Sequence, residues 1–177
     1  MNVIAVKTLN DVSPKIGYDY LLNLGFTTLV DNYTSQDGKT YTDISLPLAL
    51  GGLTKGVTNL ELTNGFATIA NQGLYHPAFF YTKIVDHDGN VLLDNTMNTD
   101  TRQVMKESTA WLLTSAMEDV ILKGTGSRLK FKKINMPQAG KTGTSTGNRD
   151  LWFVGYTPYL TAGICCLLYT SPSPRDV

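Results

Sequence analysis

The sequence predicts an α+β domain in which an antiparallel sheet is covered by helices. Three strand-like runs, at 139–146, 151–157 and 160–167, are joined by short turns, and short links between consecutive strands favour antiparallel pairing. Before them, the segments 58–73 and 107–123 carry apolar residues at helical spacing. With 177 residues, 42% of them hydrophobic, the chain has the size and the apolar content of about one domain.

The first third of the chain predicts two helices followed by a polar loop. Apolar residues recur at helical spacing from Val3 to Leu9, with no capping residue in front of them. Ser13 is the predicted cap of a second helix, because Pro14 follows it at a first-turn position and Gly25 marks the end. The segment 34–42 is polar and contains an Asp-Gly turn signal.

The middle of the chain predicts a helix, a hairpin and a second helix. Thr58 and Glu61 form a capping-box pattern, and the helix that they begin ends at Gly73. The Asp-Gly pair in 87–89 joins two strand-like runs and favours a tight hairpin. Apolar residues from 107 to 123 predict an amphipathic helix closed by Gly124. Its apolar members are Trp111, Leu112, Ala116, Met117, Val120 and Ile121.

The first of the three C-terminal strands carries the residues with the clearest chemistry. Lys141, Thr142, Gly143, Thr144 and Ser145 place one cation, three hydroxyls and a glycine on consecutive positions. In an extended chain side chains alternate, so the odd-numbered positions face one way and the two threonines face the other. The glycine lets another backbone approach closely. A segment with this composition is suited to binding a carboxylate.

Several function classes are disfavoured by composition. The formal net charge is zero and charged residues make up 17%, so nothing indicates a nucleic-acid partner. Cys165 and Cys166 are adjacent and poorly placed to bridge each other, while His76 and His87 are isolated. No metal site and no cofactor is predicted.

A run of basic residues lies between the last predicted helix and the first of these strands. We interpret it as a solvated loop face, with contact to an anionic polymer or a membrane as the alternative. Its members are Lys123, Arg128, Lys130, Lys132 and Lys133.

Two stretches resemble a known family. AGKTGTS followed by DLWFVGYTP is similar to the C-terminal active-site motif of penicillin-binding proteins, whose signature set is S-x-x-K, S-x-N and K-T-G. The segment Ser45–Gly73 resembles the preceding part of class A, bifunctional members. The likeness extends to about Cys166. It implies a penicillin-binding protein/serine β-lactamase-like transpeptidase fold over 1–167, truncated at both ends, and a non-native, disordered tail at 168–177.

The resemblance also implies a function. The parent protein is expected to be a serine-type D,D-transpeptidase that cross-links peptidoglycan stem peptides ending in D-Ala-D-Ala and is blocked by β-lactams. Lys141, Thr144 and Asn2 are the implied catalytic residues, Asn2 matching the asparagine of S-x-N. Thr142, Gly143, Thr144 and Ser145 are the implied substrate-binding residues. The parent is expected at the extracytoplasmic face of the cell membrane, anchored by a segment not in this chain.

The family nucleophile has no counterpart in this sequence. The one S-x-x-K match, Ser127–Lys130, lies in a basic loop after the predicted helices, so we interpret it as a coincidence. We therefore expect the chain alone to be inactive. The loop Gly124-Thr125-Gly126 is interpreted either as a cleft wall or as a flexible connection. The alternatives left open are a class B transpeptidase, a D,D-carboxypeptidase, a serine β-lactamase, and a non-catalytic sensing or scaffolding module.

Overall fold

The protein is described by a computed structural model over residues 2–96, 100–145, 147 and 150–167. The α-helices of this part are α1 (Asn2–Val12), α2 (Pro14–Asn23), α3 (Asn59–Ala70) and α4 (Glu107–Leu122). Short 3-10 helices lie at Leu46–Leu50 and Ser127–Leu129. The strands are β1 (Tyr33–Thr34), β2 (Thr40–Tyr41), β3 (Leu74–Tyr75), β4 (Lys83–Val85), β5 (Val91–Asp94), β6 (Arg102–Gln103), β7 (Ala139–Thr144), β8 (Asp150–Tyr156) and β9 (Thr161–Leu167).

The main sheet has the order β7-β8-β9 with both pairs antiparallel, as predicted. β7 pairs with β8 from Ala139 opposite Tyr156 to Thr144 opposite Leu151. Because β8 lies between its neighbours, β7 is an edge strand of this sheet in the described part of the chain. The predicted α+β class is thereby confirmed.

Helices α3 and α4 cover one face of this sheet. The Asn59 side-chain amide at the start of α3 donates to the Gly163 carbonyl of β9 at 3.1 Å. The Thr114 hydroxyl of α4 lies 2.8 Å from the Tyr156 hydroxyl of β8. Val154, between these contacts, is buried. The two helices therefore fix the strand that pairs with β7.

The buried face of α4 agrees with the predicted one only in part. Of the predicted members Ile121 is buried, but Trp111 and Leu112 are 66% and 62% exposed, and Ala110, which was not among the predicted members, is buried. The helix approaches the sheet with its small Ala110 and with Thr114, which bonds to Tyr156. Close packing and a part-buried hydrogen bond therefore select this face, which the apolar spacing indicated correctly at Ile121 and wrongly at Trp111 and Leu112.

The predicted helix starts are confirmed at α3 and corrected at α2. Thr58 caps α3 with its hydroxyl and Glu61 bonds back to the Thr58 amide, which completes the capping box. Pro14 begins α2, but the Ser13 hydroxyl makes no capping bond. The Ser13 amide instead donates to the Leu9 carbonyl at 2.8 Å, and its φ of 95° turns the chain between α1 and α2.

The remaining strands form small two-stranded sheets. The predicted hairpin is confirmed as β4 and β5, with Gly89 at φ 86° in the connecting turn. β3 pairs with β6 across a long sequence separation, a pairing that two-residue strands do not reveal in the sequence. In the described part of the chain no helix has the length and apolar character needed to cross a membrane. The predicted tail 168–177 lies outside the described residues.

Candidate functional site

The free edge of β7 presents backbone groups to a ligand. The Ser145 amide donates to the Asp150 carbonyl of the neighbouring segment at 3.1 Å. Because hydrogen-bonding direction alternates along an antiparallel strand, the backbone groups of Lys141 and Gly143 also point toward β8. Those of Thr142 and Thr144 point away from β8, to the free edge. A ligand in extended conformation can pair with this edge as an added strand.

The Lys141 side chain lies at the same edge. Its ammonium donates to the Thr142 carbonyl at 2.8 Å, so the cation sits beside an edge backbone group. Lys141 is exposed and forms no ion pair within the described residues. Its charge is therefore free to attract an anionic ligand.

The glycine-rich loop after α4 contacts β7 through a pair of hydroxyls. Thr125 Oγ1 lies 2.8 Å from Thr142 Oγ1. The loop is held against α4 because the Gly124 and Gly126 amides both donate to the Val120 carbonyl, at 3.1 Å and 3.0 Å. Of the two interpretations of this loop, the structure favours a wall beside the Lys-Thr-Gly strand.

The end of β7 is held by a side-chain contact. The Ser145 hydroxyl accepts a hydrogen bond from the Asp150 amide at 2.8 Å. This bond and the one from the Ser145 amide close the β7–β8 connection. Thr144, just before it, is exposed, and its hydroxyl makes no hydrogen bond within the described residues. Both the hydroxyl and the amide of Thr144 are thus available to a ligand.

An apolar groove of about 780 Å³ runs alongside these residues. Gly143, Thr144 and Ser145 form its polar end together with Asp150. Its other walls come from α2, α3, the segment 48–57 and the inner face of the sheet, and most of them are apolar. These lining residues are Leu21, Phe26, Leu48, Leu50, Gly51, Leu53, Gly56, Val57, Asn59, Leu62, Trp152 and Cys165.

Two carboxylates hold the loops that form the groove walls. Glu61 accepts hydrogen bonds from the amides and hydroxyls of Thr27 and Thr58, at 2.7–3.0 Å. Burial alone would raise the pKa of Glu61, but these bonds outweigh it and lower the pKa from 4.5 to about 2. Asp43 is fully buried and accepts bonds from the Val30 and Thr54 amides at 2.8 Å and 2.7 Å. The two carboxylates thus join the segments that flank the groove.

The sequence-predicted residues are brought together only in part. Lys141 to Ser145 share one edge, whereas Asn2 is exposed at the first position of α1 and does not line the groove. Ser127 is exposed, and no hydrogen bond joins its hydroxyl to Lys130 within the described residues. Lys130 lines a different cavity. Ser127 and Lys130 thus show no sign of an activated nucleophile.

Sequence inspection missed two parts of the site. Thr125 was singled out only as part of a loop, and its contact with Thr142 depends on how α4 ends. Trp152 lines the groove because it lies opposite Gly143 in the β7–β8 register, and a Cβ on that glycine would lie 3.3 Å from the Trp152 Cβ. Neither relation has a local sequence signal.

Comparison with known proteins finds that the chain is similar to penicillin-binding proteins. Residues 1–166 match the model of the penicillin-binding protein transpeptidase domain. The chain is 33% identical over 166 residues to penicillin-binding protein 1F of Bacillus subtilis and 35% identical over 164 residues to penicillin-binding protein 4 of the same organism. Each match includes 92% of this chain, which spans 21% and 24% of the lengths of those relatives.

Solved structures show the same similarity. The penicillin-binding protein PonA1 from Mycobacterium tuberculosis superposes with a TM-score of 0.65 at 28% identity, over 82% of this chain and 38% of that one. The structure of PonA1 in complex with penicillin V gives a TM-score of 0.64 at 29% identity, with the same coverage. Penicillin-binding protein 1A from Haemophilus influenzae, at 20% identity and a TM-score of 0.65, shares the fold over 88% of this chain and 27% of its own.

Proposed function

The chain belongs to the family of penicillin-binding protein transpeptidase domains, and on this premise we propose that Lys141 to Ser145 hold the substrate of a D,D-transpeptidase. The substrate class is the D-Ala-D-Ala end of a peptidoglycan stem peptide, with β-lactams as mimics. The observation that supports this most is the edge of β7, where a cation, threonine hydroxyls and a Thr144 amide without a partner among the described residues lie together.

The reaction is acyl transfer through a serine ester. The serine oxygen bonds to the carbonyl carbon between the two D-alanines, its proton passes to a base, and the terminal D-alanine leaves as the protonated amine. An amine of a second stem peptide then attacks the ester carbonyl and releases the serine. A β-lactam opens its ring in the first step and leaves the serine acylated.

The residues of β7 meet the requirements of the first step. The Lys141 ammonium and the Thr142 hydroxyl bind the terminal carboxylate, and Thr125 supports Thr142 from the loop. The Thr144 amide donates to the oxygen that becomes negatively charged in the transition state. The Thr144 and Ser145 side chains border the end of the site at which the amine of the second stem peptide enters. Asn2 faces the substrate amide when the parent protein is complete.

The nucleophile is supplied by polypeptide outside these 177 residues. Within the described residues, the Ser127 hydroxyl makes no hydrogen bond to Lys130, and these two residues share only a backbone hydrogen bond, from the Lys130 amide to the Ser127 carbonyl at 3.4 Å. Burial raises the pKa of the groove residue Cys165, which disfavours its reactive thiolate. The groove of about 780 Å³ beside Gly143 has the apolar lining that suits the apolar helix on which the family carries its serine. We place that helix in this groove.

The cellular setting follows from the same premise. The parent protein is a class A penicillin-binding protein of the cell membrane, with its transpeptidase domain on the extracytoplasmic face. Its relatives are several times longer than this chain, which spans about a fifth of their length. We propose that the parent is anchored to this membrane.

Covalent labelling by a fluorescent penicillin tests the proposal. We define the extended domain as the 177 residues joined to the polypeptide encoded before Met1. The extended domain should be labelled stoichiometrically on one serine, whereas the 177-residue chain should remain unlabelled under the same conditions. If the extended domain is folded and still is not labelled, the proposed transpeptidase activity is refuted. Stoichiometric labelling of the short chain would show that the nucleophile lies within it.

A further inference from the structure

The loop Arg128–Ile134 combines exposed cations with exposed apolar side chains, and the proposed transpeptidase site makes no use of it. Three apolar side chains here are 43–57% exposed to solvent. They alternate along the chain with four basic residues. The apolar members are Leu129, Phe131 and Ile134, and the basic members are Arg128, Lys130, Lys132 and Lys133.

The charge around this loop is strongly one-sided. No aspartate or glutamate occurs from residue 120 to residue 149, although this stretch holds seven of the chain's 15 lysines and arginines. Within the described residues, no ion pair involves Arg128 or the three lysines of the loop. Glu118 of α4 lines the cavity beside the loop, but three lysines of the loop line it as well, so positive charge is in excess there even though the whole chain has zero formal net charge.

The loop is held at its base as one unit. The Gln138 side-chain oxygen accepts from the Phe131 amide at 2.7 Å, and the Gln138 side-chain nitrogen donates to the Leu129 carbonyl at 3.4 Å. A cavity of about 690 Å³ lies between the loop and α4, with Ile121 and Met136 in its apolar part. Phe131 and Ile134 thus belong to the apolar part of a cavity whose wall also carries Glu118 and the three lysines of the loop.

We propose that the loop Arg128–Ile134 binds the surface of an anionic lipid bilayer. Phe131 and Ile134 enter the boundary between headgroups and acyl chains, and the neighbouring lysines contact lipid phosphates. A soluble polyanion would satisfy the cations but would leave the exposed apolar side chains in water. The alternation of both side-chain types therefore favours a lipid surface. This inference is independent of the catalytic role proposed for β7.

Vesicle co-sedimentation of the full 177-residue chain provides the test. Vesicles of phosphatidylglycerol and phosphatidylcholine are compared with vesicles of phosphatidylcholine alone. We expect binding to the anionic vesicles only, weakening as salt is raised because salt screens exposed charges. A Phe131→Trp variant should show a blue-shifted emission with anionic vesicles, because its indole enters the interface.

Paired variants separate the charge from the apolar contribution. Each lysine near the surface contributes about 1 kcal/mol, or roughly fivefold in partitioning, so Lys130→Gln/Lys132→Gln/Lys133→Gln should lower binding on the order of 100-fold. Phe131→Ser/Ile134→Ser should weaken vesicle binding and leave binding to a soluble polyphosphate unchanged. The control Lys7→Gln/Lys39→Gln/Lys83→Gln removes the same charge elsewhere and should bind like the wild type.

Three results would overturn the inference. Equal binding to neutral and anionic vesicles would show that charge does not contribute. Unchanged vesicle binding by the Lys130→Gln/Lys132→Gln/Lys133→Gln variant would show that the lipid contacts another part of the chain. Unchanged vesicle binding by the Phe131→Ser/Ile134→Ser variant would indicate a polyanion site in place of a membrane site. Circular dichroism spectra of the variants that match the wild type ensure that loss of binding is not loss of folding.

Discussion

Thr125 Oγ1 lies 2.8 Å from Thr142 Oγ1, and this contact joins the loop after α4 to the strand that carries Lys141. A hydroxyl bonded on one side has a defined orientation for its other partner. Thr142 is therefore presented toward the free edge of β7 in a fixed direction. The contact connects the packing of α4 to the proposed binding of a carboxylate.

The Thr125 hydroxyl can be removed without a large change in shape. In the extended domain, Thr125→Val should lower the second-order rate of acylation by penicillin about tenfold, since a hydrogen bond contributes about 1 kcal/mol and a charged partner increases that value. Thr125→Ser retains the hydroxyl and should restore most of the rate. Ser127→Ala, in the same loop, is the control and should acylate like the wild type. Equal rates for the Val and Ser variants would exclude a role for the hydroxyl.

The amide and the hydroxyl of Thr144 can be tested separately. Thr144→Val keeps the edge amide, and we expect less than a threefold change in acylation rate. Thr144→Pro removes the amide, and its rate should fall about 100-fold or more, as for loss of one oxyanion donor. The Thr144 amide faces away from β8, so the fold should tolerate proline at this edge position. A Thr144→Pro variant that acylates normally while keeping the wild-type melting temperature would rule out the amide as a donor.

Glu61 is predicted to stabilise the folded chain only when it is ionised. Its pKa is lowered to about 2 in the folded state, so its contribution is present above pH 4.5 and is lost as pH falls toward 2. Glu61→Gln should cost about 1–2 kcal/mol at pH 7, discounted for the solvent that reaches this carboxylate. Urea denaturation at pH 7 and at pH 3 measures both values. The difference between the wild type and the variant should shrink at the lower pH, and a constant difference would contradict the assignment.

The contact between Tyr156 and Thr114 anchors α4 to the sheet. Tyr156→Phe should destabilise the chain by about 1 kcal/mol, because it leaves the half-buried Thr114 hydroxyl with one partner fewer. Tyr159→Phe, at a site 80% exposed, is the matched control and should change the free energy of unfolding little. The comparison is made by chemical denaturation. Equal effects in the two variants would show that the buried contact adds no stability.

Local signals made the helices and the main sheet predictable. The capping box at Thr58 and Glu61 and the short turn between β8 and β9 act over a few residues, and each appears where expected. The Lys-Thr-Gly motif with its flanks identified the candidate edge.

Features that depend on distant contacts could not be predicted. Ala110 and Thr114 of α4 face the sheet, and the apolar spacing included neither of them and wrongly included Trp111 and Leu112, although it correctly included the buried Ile121. The β3–β6 pair joins residues 74–75 to 102–103, and strands of two residues carry no periodicity. The contact of Thr125 with Thr142 likewise joins separate elements.

The acylation rate of the extended domain carrying Lys141→Ala tests the central claim most directly. Stopped-flow or quenched labelling with fluorescent penicillin gives the second-order rate constant, with Lys130→Ala as the control for removal of a basic side chain. We expect Lys141→Ala to acylate roughly 10- to 100-fold more slowly, because hydrogen bonds to charged groups contribute about 1.5–3 kcal/mol, and Lys130→Ala to match the wild type. A wild-type rate for a folded Lys141→Ala domain would contradict the assignment of this edge to the substrate carboxylate.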